Sequence, residues 1–311
     1  MYLKTLEKKL SNLKHIRMKV NNDRSVLLIS IMKMTKQLRF YINDAVLNKK
    51  LITSLNQKYD LNDSVIGSEL KFLDGNIHTK KRKVKPFNKE RQIWIYLTEE
   101  QKYSTDSYSR YEEKILEMTN KIKVDFITIG EQAAEFCKKN KFNILFGFKN
   151  EDANLKFASK LVQVIRALYV ESNYTKVFFV INTNKSYNEP FQILPIQQFN
   201  LTRLANIDES KNVVDLTKFK IYPNIEEFID AQINIFLENS IHSLIIESSF
   251  YNAKTGLVIA NKSINKLDDS ITKLKKKLRL IKQENQIEEI VMLTRKMSTD
   301  LDDIGDSDEQ I

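Results

Sequence analysis

From Asn224 to about Lys296 the chain runs without a proline, and its only interior glycine is Gly256. Asn224 followed three residues later by Glu227 is a capping-box start, so the stretch reads as one helix. At ~1.5 Å per residue it would be on the order of 100 Å long, several times the span of a compact domain. It cannot be buried in its own domain. From Ile264 the apolar residues fall at Ile264, Leu267, Ile271, Leu274, Leu278 and Ile281, steps of three and four that ask for a second helix along one seam. Asn285 interrupts the stripe, which resumes with Ile287, Ile290 and Val291.

The matching stripe is at the other end of the sequence. Leu3, Leu6, Leu10, Leu13, Arg17, Val20, Arg24, Leu27, Ile31, Met34 and Leu38 keep the same alternation, with Arg17 and Arg24 as polar exceptions that weaken the seam while fixing its register. Either stripe alone is compatible with ordinary bundle packing. Together they predict an antiparallel coiled coil of residues 1–59 with 224–297, because no short loop joins them.

Four prolines and six glycines in 311 residues leave few breakers, so helix should dominate. The single Cys137 permits no internal disulfide, and His15, His78 and His242 make no zinc-type cluster, which fits a reducing cytoplasm. No apolar run approaches the roughly 18 residues of a membrane span, and the first residues are not a secretory signal, so a soluble chain is expected. A net charge of +10 points to an acidic partner: nucleic acid, anionic lipid or an acidic protein surface.

Residues 60–91 read as a surface linker. Asp74-Gly75-Asn76 is a turn signal, and Lys80-Lys81-Arg82-Lys83-Val84-Lys85-Pro86 is a charge run that also fits a nucleic-acid patch. From 92 to 223 strands alternate with helices. Strands are expected at 93–97, 126–129, 144–146 and 176–181, helices at 111–122, 132–139 and 153–170, and an edge strand or irregular excursion near Pro190 and Pro195. That order implies a mostly parallel sheet with helices on its faces, a Rossmann-like α/β domain inserted between the coil helices. The acidic stretch 298–311 has little apolar periodicity and is expected to be disordered.

An α/β domain invites a search for nucleotide loops. There is no Gly-x-x-x-x-Gly-Lys-Ser/Thr and no Gly-x-Gly-x-x-Gly after a strand. The turn after the first strand starts Thr98-Glu99-Glu100, without a glycine to wrap a phosphate and with two carboxylates to repel one. Glu247-Ser248-Ser249, Asp268-Asp269 and Asp302-Asp303 have no histidine nearby, and the first two groups read as solvated helix surface. No catalytic residue, cofactor or metal is expected. One cluster stands out: Lys273, Lys275, Lys276, Lys277, Arg279 and Lys282 flank the seam with almost one sign of charge, where a self-contained coil would mix them.

Taken in order, these features resemble the gamma subunit, or central stalk, of F-type rotary ATPases. Arg279, Ile287, Glu289, Ile290 and Val291 fit the family's Arg-Gln-x-x-Ile-Thr-x-Glu-Ile-x-Glu-Ile-Val signature. Leu244-Ile245-Ile246-Glu247-Ser248-Ser249 resembles its Leu-x-Glu-Ser segment, and Ile127-Thr128-Ile129-Gly130 its strand-Gly-helix pattern. Glu189-Pro190, Leu194-Pro195 and Tyr222-Pro223 fall in family order, and Ile16-Arg17, Asn21 and Lys36-Gln37-Leu38-Arg39 match more loosely. The departures are Leu280 for Gln, Gln286 for Glu, bulky Phe250, Tyr251 and Asn252 in a small-residue region, the missing glycine-rich turn, and the chain after Val291.

The resemblance implies a non-catalytic rotor: a coil turned inside a hexamer of alpha-like and beta-like ATPase subunits that hydrolyse ATP. The α/β domain would be a foot meeting an unknown partner, and membrane contact would be only indirect, at the cytoplasmic face. The departures suggest a paralogue driving a mechanical load, similar to the extra rotary ATPase sets of mollicutes linked to gliding; the proton-coupled synthase subunit is the alternative. From another class, an antiparallel coiled-coil scaffold would meet nucleic acid with its basic runs, but it should carry a nucleotide-binding head. The rotor reading expects no nucleic acid.

Overall fold

The computed structural model describes residues 2–59, 91–100, 108–120, 122–149, 156–171, 174–185, 189–200, 204 and 220–305. The linker expected at 60–91 lies outside them, except that Arg91 opens the first strand. The elements are α1 (Tyr2–Tyr59), β1 (Arg91–Leu97), α2 (Ser109–Thr119), β2 (Lys123–Ile129), α3 (Glu131–Lys139), β3 (Asn143–Phe148), α4 (Phe157–Glu171), β4 (Lys176–Val180), β5 (Phe191–Leu194), a turn of 3-10 helix (Ile196–Gln198) and α5 (Ile225–Gly305). The fold is an antiparallel pair of long helices with a Rossmann-like α/β domain inserted between them in sequence.

Half of the expected capping box forms: the Glu227 amide donates to Asn224 Oδ1 at 2.8 Å, while Glu227 Oε1 accepts from the Asn224 side-chain Nδ2 at 3.0 Å. One orphan backbone donor at the start of α5, the Glu227 amide, is thereby satisfied, and the second bond ties the two side chains together. The helix does not stop near Lys296 but continues to Gly305, into the acidic stretch that composition marked as disordered. Adding a residue to an existing helix avoids the cost of nucleation, so weak periodicity does not end it. Residues beyond Gly305 lie outside the described part.

Five strands form one sheet in the order β3-β2-β1-β4-β5; β1 pairs in parallel with β2 and β4, β2 in parallel with β3, and only β5 is antiparallel. β5 lies between Pro190 and Pro195 at the sheet's edge, where proline is tolerated. Gly130, at φ 97°, turns β2 into α3, a conformation that a β-carbon would strain.

Both faces of the sheet are covered, so the strands read as continuous apolar runs rather than alternating ones. Ile93, Ile95, Leu97, Ile127, Val177 and Phe179 face one side. There they pack with Leu161 and Ile165 of α4, Ile42, Val46 and Leu55 of α1, and Ile233, Phe236 and Leu237 of α5. Trp94, Tyr96 and Phe126 face the other, against Tyr111 and Ile115 of α2 and Phe136 and Cys137 of α3.

Asp125, 2% exposed, ties the amino ends of the strands together. It accepts hydrogen bonds from Asn143 Nδ2 at 2.6 Å, Tyr174 Oη at 2.7 Å and Arg91 Nη2 at 3.0 Å.

The chain divides into two compact units, Ile29–Gly256 and a second made of Met1–Leu28 with Leu257–Ile311. Both long helices contribute to each.

Candidate functional site

In the unit of Met1–Leu28 with Leu257–Ile311, the two helices run antiparallel: Arg17 pairs with Asp268, and Glu7 with Lys282 at 2.7 Å, so one index rises as the other falls. All twelve residues of the expected seam are buried or half-buried. Leu6, Ile264, Ile271 and Leu278 are buried, while Leu10, Leu13, Val20, Leu27, Ile31, Leu267, Leu274 and Ile281 are half-buried. Arg17, a polar exception on the stripe, reaches Asp268 through both Nε and Nη2. Asp268 is therefore not the plain solvated carboxylate its sequence context implied. Both side chains are about half exposed, so the pair fixes register more than it adds stability.

The six basic residues of the flank are all exposed, but they are not equivalent. Lys282 is engaged with Glu7, and Lys277 sits 5.6 Å from the centre of the Tyr2 ring, whose hydroxyl also raises the lysine's pKa by hydrogen bonding. Among the described residues, Lys273, Lys275, Lys276 and Arg279 have no ion-pair partner. Lys275, Arg279 and Lys282 line a groove of about 530 Å³ together with Lys14 and Glu7. Lys14, on α1, adds to the basic face and was not among the residues that sequence reasoning selected. Its signal, a lysine one position past seam residue Leu13, is too common to find alone.

Past Ile281 the burial stops. Tyr2, at the start of α1, stands beside Lys277, while Glu7 pairs with Lys282 and lines a groove with Gln283 and Gln286. Ile287, Ile290 and Val291 do not resume a seam, being 61%, 61% and 45% exposed, with Met292 at 72% and Leu293 at 58%. Glu289, between them, is also exposed. Residues 287–293 of α5 thus present exposed apolar side chains.

A second site lies within the unit of Ile29–Gly256. The strand order changes direction between β1 and β4, and in open α/β sheets ligands bind beyond the carboxyl ends of the strands at such a point. Here that position holds side chains of α5. Glu99, just after β1, accepts hydrogen bonds from Ser249 Oγ and Asn252 Nδ2, both at 2.7 Å. Asn182, just after β4, donates to Asn252 Oδ1 at 2.8 Å. Glu247, 1% exposed, accepts from Thr183 Oγ1 and from Lys185 Nζ, both at 3.0 Å. Lys185 also donates to the Leu204 carbonyl at 2.5 Å, and the Thr183 amide donates to Tyr111 Oη at 3.0 Å.

Glu247-Ser248-Ser249 is therefore not a solvated face. Glu247 and Ser248 are buried, with Ser243 and Ser240 one and two turns earlier on the same side of α5. Burial pushes the Glu99 carboxyl up, and the hydrogen bonds from Ser249 and Asn252 offset only part of that. Most of the cluster's acceptors and donors are matched to one another, Ser240 Oγ having no partner among the described residues, which suits holding a helix in place.

No family model matches the sequence. The chain is 43% identical over 310 residues to the uncharacterized protein UU050 of Ureaplasma parvum, covering 98% of each. It is 18% identical to the ATP synthase gamma chain of Aquifex aeolicus, over 56% of this chain and 58% of that one. A chain from the rotor of the Euglena gracilis mitochondrial ATP synthase aligns over 91% of this chain and 98% of its own, at 11% identity and a TM-score of 0.44. The chain thus belongs to the family of the Ureaplasma parvum protein and resembles, at much lower identity, the ATP synthase gamma chain.

Proposed function

We propose that this chain is the gamma-like central-stalk rotor of an F-type-like rotary ATPase, turning within a hexamer of alpha-like and beta-like subunits that carry out the ATP hydrolysis. The observation that supports it best is the antiparallel helix pair with a one-signed basic flank and exposed apolar side chains at 287–293 of α5. A rotor needs stiffness, asymmetry and a surface whose contacts differ with angle. In this reading Lys273, Lys275, Lys276 and Arg279 face acidic loops of the surrounding subunits, with Lys277 and Lys282 partly committed to the coil. Ile287, Ile290 and Val291 turn in an apolar collar, beside Glu289. Charge complementarity of this kind gives orientation and salt sensitivity more than affinity.

Residues 1–59 and 224–297 form the axle and 92–223 the foot, bound to a partner on the cytoplasmic side of the membrane. The departures from the gamma signature favour a motor paralogue with a mechanical load over the proton-coupled synthase subunit. Affinity purification at moderate salt tests the assembly: it should retrieve two related ATPase chains in molar excess. Retrieval of nucleic acid, released steeply as salt rises, would instead favour a nucleic-acid scaffold. Within the assembled ATPase, reversing Lys275, Lys276 and Arg279 to Glu should slow turnover while the chain stays folded, and unchanged turnover removes the electrostatic part of the proposal.

A further inference from the structure

Edge strands normally carry charges, prolines or a covering element that stop other chains from pairing with them. β3 has none of these among the described residues. It reads Asn-Ile-Leu-Phe-Gly-Phe, without charge or proline, and pairs only with β2. The Phe148 carbonyl accepts from the Gly130 amide at 2.9 Å, so Phe148 points its carbonyl inward. Successive residues of a strand alternate, which turns the Gly147 amide and carbonyl toward the open edge. Phe146 is 43% exposed, and Asn143 and Gly147 are exposed with it.

The surroundings select a partner. Lys138 and Lys139 end α3, Lys141 stands in the turn into β3, and Lys123 opens the neighbouring β2; all four are exposed. Against them stand exposed Glu131 and Glu135 of α3. The remaining carboxylate among the described residues there, Asp125, is buried and already bonded to Asn143, Tyr174 and Arg91. Among the described residues the rim is net positive. Pairing β3 with β3 of a second copy would bring two such lysine rims together, and like charges across strands are destabilising.

We propose that the open edge of β3 takes an extended acidic segment of another protein as a sixth strand, with backbone hydrogen bonds at Gly147, packing on Phe146 and carboxylates on Lys138, Lys139 and Lys141. The inference goes beyond the rotor reading, because it rests on the sheet alone and holds whichever machine the chain serves.

The probe is a short synthetic peptide alternating valine with glutamate, titrated onto the full-length chain, with amide exchange followed at 143–148. The expected result is saturable binding and slowed exchange there. Replacing Lys138, Lys139 and Lys141 with Glu should weaken it at least tenfold, and Phe146→Lys, an exposed substitution that spares the fold, should do the same. Gly147→Pro should abolish the protection; should it unfold the chain, Phe146→Lys carries the test. A peptide alternating valine with lysine should not bind. The proposal is overturned by absent protection at 143–148, by equal binding of both peptides, or by concentration-dependent dimerisation that protects β3 without peptide.

Discussion

Lys185 and Glu247 offer the sharpest test of how α5 is held against the strand ends. Glu247 is 1% exposed, whereas the Lys185 side chain is about a third exposed, so the pair is asymmetric. Lys185→Met leaves a buried carboxylate with one remaining donor among the described residues, Thr183 Oγ1. Breaking a buried pair from that side costs on the order of 3–5 kcal/mol, because the surviving charge stays in a poor solvent. Glu247→Gln leaves a lysine that reaches water and keeps its bond to the Leu204 carbonyl. A lost charge-assisted hydrogen bond of that kind costs about 1.5–3 kcal/mol. The double variant Lys185→Met with Glu247→Leu should recover much of the loss, since no charge is left uncompensated. Urea unfolding of the purified chain at pH 7, with amide exchange read over 240–256, gives the three values. If Lys185→Met stays within about 0.5 kcal/mol of the parent, or costs less than Glu247→Gln, the carboxylate is not buried as described and the reasoning fails.

Two other carboxylates should move stability with pH in opposite senses. Burial pushes the Asp125 carboxyl up, but hydrogen bonds from Asn143, Tyr174 and Arg91 and the Arg91 charge outweigh it, leaving the group below its ordinary 3.8. Its contribution is present above that value and lost as pH falls through the lower folded one; Asp125→Asn should flatten the acid limb of urea midpoints between about pH 2 and 5. Glu99 is raised above its ordinary 4.5, so its contribution is greatest in acid and falls as pH rises through the folded value. Stability of the parent relative to Glu99→Gln should therefore decline from about pH 4 toward neutrality, and a rise over that interval would contradict the assignment.

The coil was legible because its information is local and repeated. A three-four alternation of apolar residues at each end, with no glycine or proline to break it, demands a helix that buries one stripe, and Leu6, Ile264, Ile271 and Leu278 do so. The strands were legible for a similar reason, as short β-branched and aromatic runs between turn signals. The pairing of Arg17 with Asp268 was not, since it links residues 251 apart and depends on a register that no single stripe specifies. Nor was the exposure of Ile287, Ile290 and Val291, which continue an apolar pattern.

The sequence by itself determined which segments are helix and strand and which faces are apolar, because side-chain periodicity and backbone propensity act over a few residues at a time. Only the tertiary structure decided where the polar groups between those faces find partners. Glu247 reads as surface on a charged helix, yet the change of direction between β1 and β4 brings Thr183 and Lys185 to it and takes it out of water. The cost of leaving a buried charge unmatched is set by neighbours far away in the chain, and composition around Glu247 carries no trace of them.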